Sequence, residues 1–311
     1  ADSPAALLKA VTKRQAEQLL DEANDRAEAG QYQLARGILQ GFPLQAVSRI
    51  TKIQVEDALR ELDEPVKKAA DLMQKLREQV SKLPANQQTS LAAILDEMEA
   101  GLSTDTLPRL SDYERLGEVD NIPIDNRIAL AVAGWLLGAG SGEQNLSIAI
   151  SLIQVRDLVA EYLSTADVAR RKAILGELSN LEGSEAEYVD RILPLLTPVL
   201  PWPEGSQHPK IPGMFNVSTD SFQYVIQLPP EYNPLREYPC VVALHESQSP
   251  IENQLDWWSG GYREQLEGRM GYGSRSGFIV VAPVWSRSGQ RGYEYTPQEH
   301  QRVLAATRDA M

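Results

Sequence analysis

The 311-residue chain contains one cysteine, three histidines and four phenylalanines. A single cysteine, Cys240, excludes an intrachain disulfide and any cysteine-rich metal centre. The acids Asp256, Glu264 and Glu267 lack the company a metal ion needs, and neither a metal nor a cofactor is expected. Basic charge is also short: 30 Lys and Arg stand against 43 Asp and Glu, a formal net charge of −13. From Pro201 onward there are 12 acids and 9 bases, so the first two hundred residues carry the other 31 and 21, about −10 of the total. An acidic surface is a poor partner for nucleic acid phosphates, and anionic membranes are disfavoured for the same reason. No apolar run reaches the roughly 18 residues that a transmembrane helix requires. The balance of apolar and charged residues is that of a soluble globular protein. The sequence begins at Ala1, as it would after signal removal or in an arbitrary fragment, so cytoplasmic and exported locations both stay open.

What is abundant is helical periodicity. Ser3-Pro4 places a cap before a proline at the first helical position, and Leu7, Leu8, Val11, Leu19, Leu20 and Ala23 continue with helical spacing to Gly30. The most regular stretch opens at Asp63 and Pro65, where Val66, Ala69, Met73, Leu76, Val80 and Leu83 form a heptad seam. Such a seam packs inside its own helical domain or recruits a partner helix. Leu91, Ile94, Leu95, Met98 and Leu102 make a second stripe, and further helices are expected over 124–137, 145–163, 167–178 and 185–195. Ser184 with Glu187 reads as a capping box for the last of these. Gly138, Gly140 and Gly142 follow a helix rather than a strand, and Glu143 occupies the third position of a G-x-G-x-x-G pattern, so they read as a helix-terminating loop.

A Pro- and Gly-rich stretch then separates two regimes. The expected organisation is an all-α domain over 1–200, a linker over 201–214 and an α/β domain over 215–311, an α + α/β fold class. Residues 222–228 alternate as a strand, with Phe222, Tyr224, Ile226 and Leu228 on one side. Residues 238–244 and 278–282 are short apolar runs of the kind buried parallel strands show, and 253–268 is a helix between them. In this reading Cys240 is a buried structural thiol. Thr296-Pro297-Gln298-Glu299 is a helix start with cap, proline and return partner in place.

Two segments carry a resemblance. Tyr-Val-Ile-Gln-Leu-Pro-Pro-Glu-Tyr-Asn-Pro from Tyr224, followed by Tyr-Pro-Cys-Val-Val-Ala-Leu-His ending at His245, resembles the opening of α/β-hydrolase esterases and prolyl-oligopeptidase-like peptidases. Gly277 to Pro283 is similar to the next strand of that family, and the segment from Glu299 to Ala310 to the helix before its nucleophile strand. The resemblance covers about 215–311, a third of the chain. It implies acyl transfer on a small-molecule ester or peptide, with a serine nucleophile, a histidine base, an acidic orienter and an oxyanion hole. It also implies an oxyanion loop at His245, Glu246 and Ser247. Glu246 stands where the family has glycine, which sets a carboxylate against a developing negative charge. Trp257, Trp258 and Tyr262 either wall a substrate pocket or pack a helix on the sheet. His208 reads as a solvated linker residue and His300 as a packing or capping residue.

The 311 residues contain no G-x-S-x-G. Gly273-Ser-Arg-Ser-Gly277 has arginine at its centre and precedes a strand. No catalytic residue is therefore assigned, and this chain alone is expected to be inactive. The sheet is read as the N-terminal portion of a serine hydrolase, whose unfinished edge after 278–282 would favour self-association. The alternative is a non-enzymatic helical scaffold with a degenerate hydrolase-like domain.

Overall fold

A computed structural model describes residues 4–117, 121–198, 201–246, 249–264, 268–287 and 289–311, and it has the expected α + α/β layout. The helices are α1 (Pro4–Glu28), α2 (Tyr32–Gln40), α3 (Arg49–Val80), α4 (Ala85–Gly101), α5 (Ser111–Gly117), α6 (Ile124–Leu137), α7 (Leu146–Ser164), α8 (Val168–Leu178) and α9 (Ala186–Ile192). Two caps set their starts. The Asn145 side chain accepts from the Ser147 amide at 2.9 Å, and Asp167 accepts from the Ala169 amide at 2.8 Å.

Three local expectations are corrected. Pro65 does not open a helix but lies inside α3, which starts sixteen residues earlier at Arg49; the helix runs on without the one hydrogen bond that proline cannot donate. Val66 is half exposed, whereas Met73, Leu76 and Val80 of the same seam are buried. Val66 sits at the start of the seam and borders an open groove with Ala70 and Leu102. The Ser184–Glu187 capping box does not form, because the Ser184 hydroxyl donates to the Leu181 carbonyl at 2.8 Å and α9 begins at Ala186. Gly138, Gly140 and Gly142 do form the expected loop after α6, all three with positive φ. Asp112 braces that loop by accepting from the Gly142 amide at 3.2 Å. The Arg115 guanidinium and this amide hold the Asp112 carboxyl below its ordinary range, against burial.

The chain divides into two compact units, with a break at the expected place, between 201 and 202, and a further one between 59 and 60 that assigns the first helices to the C-terminal part. One comprises 60–201 with 234–236; the other comprises 1–59, 202–233 and 237–311. The helical unit has one continuous apolar core, from Leu72 and Leu76 through Ile94, Met98 and the whole of 128–133 to Ile192. Each fully buried aliphatic side chain there contributes about 1.5–3 kcal/mol.

The second unit joins α1 and α2 to the C-terminal sheet through polar contacts. Arg26, 2% exposed, donates from Nε to Glu22 at 2.9 Å and from Nη1 to the Gln31 side chain at 2.5 Å. Gln31 in turn donates to the Ser274 carbonyl at 2.7 Å. Glu231, a non-glycine residue at φ 54°, places its carboxylate on the amides of Gln33 and Leu34 at 2.9 and 2.8 Å, satisfying the open N-terminus of α2.

The sheet comprises β1 (Met214–Ser218), β2 (Gln223–Gln227), β3 (Cys240–Val242) and β6 (Ile279–Pro283), in the order β1-β2-β6-β3. β2 is antiparallel to β1 and to β6, and β3 runs parallel to β6 with Val241 opposite Val280. Between β3 and β6 lie α10 (Glu252–Ser259), the short pair β4 (Tyr262–Arg263) and β5 (Gly268–Arg269), and α11 (Tyr272–Arg275). The expected single helix over 253–268 thus ends at Ser259. Gly260, at φ +82°, turns the chain so closely against Gly271 that a Cβ would lie 2.5 Å from the Gly271 amide nitrogen.

Alternation along β2 separates two apolar layers. Tyr224, Ile226 and Leu228 share one with Ala306 of α12 (Pro297–Ala310), and Val225 shares the other with Leu255 of α10. Tyr224 also donates its hydroxyl to Asp309 at 2.8 Å. β6 is covered on both faces, as its apolar run predicts. β3 is not: it is the margin of the sheet, Cys240 is exposed, and Val242 and Leu244 keep 38% and 45% of their surface. The buried-thiol reading of Cys240 is corrected accordingly. The free edge belongs to β3 rather than to 278–282, because β6 lies between β2 and β3.

Candidate functional site at the ends of β3 and β6

Parallel pairing brings the chain ends of β3 and β6 to the same edge of the sheet, and the residues that follow each strand meet there. His245 follows β3 and is 7% exposed; Trp285 follows β6 and is 3% exposed. The Trp285 indole N–H donates to the His245 carbonyl at 2.9 Å, and the two rings lie 5.4 Å apart. Trp285 packs edge-on against Tyr293 at 5.1 Å, which in turn packs against His300 at 5.7 Å. An aromatic wall therefore backs the histidine.

The histidine's own hydrogen bonding defines its chemistry. His245 Nδ1 lies 2.9 Å from the Glu246 carbonyl oxygen. A carbonyl only accepts, so Nδ1 carries the hydrogen, and in the neutral imidazole Nε2 holds the lone pair. Nε2 is buried and has no hydrogen-bond partner among the described residues. A buried acceptor without a donor is uncommon, and it is the type of group a ligand hydroxyl or amide satisfies.

Glu246 is exposed, and its carboxylate accepts from the Ser249 hydroxyl at 3.3 Å. Ser249 also donates its amide to the Glu246 carbonyl at 3.1 Å. Ser247 lies outside the described residues. The glutamate carboxylate is thus held on its own loop by a neutral hydroxyl.

Beyond this edge, the 290–300 segment is anchored by Glu299, which is 2% exposed. Its carboxylate accepts from the Glu294 amide at 3.0 Å, the Thr296 amide at 2.7 Å, the Thr296 hydroxyl at 3.0 Å and the Gln290 side chain. Burial pushes the carboxyl up, but these donors outweigh it and hold it down at about 2. The expected capping box of α12 is present in full.

The candidate pocket residues are not gathered beside His245. Trp257 is 82% exposed, and Trp258 packs on the apolar layer beneath α10. Tyr262 lines a cleft with Gln227 and Leu228, level with the start of β6 and so at the other end of the sheet from His245. His208 is a turn organiser rather than a solvated linker residue: its Nδ1 accepts from the Lys210 and Ile211 amides at 3.2 and 3.1 Å. His300 is exposed, with Tyr293 as its ring neighbour.

Sequence reasoning missed Trp285 and Tyr293. The available signal was position: Trp285 stands two residues past an apolar strand, where open α/β sheets place ligand-contacting groups. Among the described residues no group of three or more acidic, histidine or cysteine side chains could hold a metal ion. No described helix is long and apolar enough to cross a membrane. No protein-family model matches the chain, and no curated protein or solved structure matches it either.

Proposed function

We propose that the sheet unit is the N-terminal portion of a serine-hydrolase-type acyl-transfer domain acting on a carboxylic ester or peptide. The observation that carries this reading is the strand order β1-β2-β6-β3, with β3 parallel to β6 and no strand paired to its outer side among the described residues. From β3 the chain crosses to one side, to β6. A further parallel strand at the free edge of β3 would lie on the other side and make the loop after β3 a topological switch point, where open α/β sheets bind ligands. His245 and Glu246 stand on that loop. In this reading, backbone N–H groups after His245 face the developing oxyanion, the Trp285 N–H fixes the loop, and the nucleophile is supplied from outside the 311 residues.

A second reading, a helical scaffold with a degenerate hydrolase-like sheet, is favoured by one observation. Glu246 puts an exposed carboxylate where negative charge would develop.

One experiment separates the two. A fluorophosphonate probe and a short-chain p-nitrophenyl ester are applied to the 311-residue chain and to the product of the whole open reading frame. Labelling and turnover only in the latter support the hydrolase. Absence from both leaves the scaffold. Stoichiometric labelling of the 311-residue chain would overturn the assignment of the nucleophile to a segment outside it.

A further inference from the structure

At the opposite end of the sheet from His245, a cleft of about 290 Å³ is lined by the end of β2, the 229–232 turn, β5 and Tyr262. That volume is near the lower bound for small-molecule sites and suits one ring with one polar group. Its floor is Arg269, 5% exposed. Arg269 donates from Nε to the Gln227 side chain at 3.0 Å, and from Nη1 to the Gly260 carbonyl at 2.6 Å and to Asp256. These three bonds use the Nε hydrogen and both Nη1 hydrogens. Both Nη2 hydrogens remain without a partner among the described residues, Nη2 is not among the sealed unsatisfied atoms, and Arg269 lines the cleft.

The other lining groups narrow the class of ligand. Gln227 has no donor left to offer, its amide donating to the Pro212 and Leu228 carbonyls at 3.0 and 2.9 Å. Tyr232 and Tyr262 are the tyrosines of the lining, Tyr232 with its ring 5.2 Å from that of Tyr238, and Leu228 and Pro230 are apolar lining residues. Charge decides the rest. The guanidinium is already matched by Asp256, and the Glu231 carboxylate stands at the same cleft, engaged with the amides that begin α2. A carboxylate ligand would set a third negative charge against one positive charge. An amine would oppose donor to donor. An uncharged carbonyl accepts from Nη2 without either cost.

We infer that this cleft binds an uncharged planar carbonyl compound, an aromatic amide or ester, with its oxygen on Arg269 Nη2 and its ring against Tyr232 and Tyr262. The site is separate from the loop after β3 and does not depend on the hydrolase reading.

The test is a ligand-observed NMR titration of the full chain with benzamide, benzoate and benzylamine. Benzamide should bind saturably, benzoate should be about tenfold weaker or more, and benzylamine should be weakest. Arg269→Lys should abolish the preference for benzamide over benzoate. Because Arg269 also braces Gln227, Asp256 and Gly260, Tyr262→Ala and Tyr232→Ala provide variants that leave this network in place. Each should weaken benzamide about fivefold through lost stacking. No saturable benzamide binding, benzoate binding as tight as benzamide, or indifference to both tyrosine substitutions would each overturn the inference.

Discussion

In the helical unit the buried residues form one apolar cluster from Leu72 to Ile192, with Thr106 and Asp112 as its buried polar groups. The sheet unit divides its apolar side chains between two small layers and buries Arg26, Gln31, Gln227, Arg269 and Glu299 as well. The first is held mainly by the amount of apolar surface removed from water. The second relies in addition on hydrogen bonds between buried polar groups, and breaking one of these leaves a buried partner unsatisfied. The helical unit should therefore tolerate exchange of one apolar side chain for another and fail where space runs out. The sheet unit should be sensitive to single polar atoms and to pH.

The largest expected effect lies where helices approach without room for a side chain. A Cβ on Gly134 of α6 would lie 2.2 Å from the Arg109 carbonyl oxygen. Gly134→Val should destabilise the helical unit by roughly 4 kcal/mol or more, read from far-UV circular dichroism in urea. A variant within about 1 kcal/mol of the parent would mean that the turn at 107–110 yields easily.

The sheet unit should yield first to acid. The Glu299 carboxyl falls from an ordinary 4.5 to about 2 in the folded protein. Its folded pKa is depressed, so its stabilisation is present above the unfolded value and is lost as pH falls from about 4.5 toward 2. Glu299→Gln should flatten that acid limb, read as the pH dependence of the unfolding midpoint by near-UV circular dichroism. An unchanged acid limb would remove Glu299 as its source.

The smallest effect sharpens the contrast between two helix starts of similar sequence. Thr296 caps α12, whereas Ser184 spends its hydroxyl on the preceding turn. Thr296→Ala should cost about 1 kcal/mol and Ser184→Ala under about 0.5 kcal/mol in thermal unfolding. Equal costs would contradict this division.

Where one physical signal dominated, the sequence was readable. A continuous apolar run located α6 to the residue, and apolar periodicity located α7 and α8 to within one. Alternation in 222–228 located β2, and the two apolar runs identified the parallel pair. Periodicity does not distinguish a central strand from a marginal one, and for that reason β3 and Cys240 were misjudged. Nor does it report contacts between single polar atoms far apart in the chain. Arg26, Gln31 and Ser274 lie in segments some 240 residues apart, and nothing local marks α1 and α2 as part of the sheet unit. Of the candidate site, the position of His245 was legible from its strand. The donor that fixes its carbonyl and the lone pair on its Nε2 depend on tertiary contacts.

The way Arg26 and Gln31 are satisfied sets an order in time. At synthesis rates of about 5–20 residues per second, roughly 12–50 s separate the appearance of Arg26 from that of its last neighbour, Met270, whose sulfur lies 3.5 Å from Nη2. The whole helical unit, its 234–236 segment included, is made in that interval. On the ribosome, α1 and α2 therefore wait with Gln31 short of its Ser274 acceptor and with the start of α2 uncapped while the later-made bundle completes its core. A chaperone that recognises this hairpin would have its longest window of access during that wait.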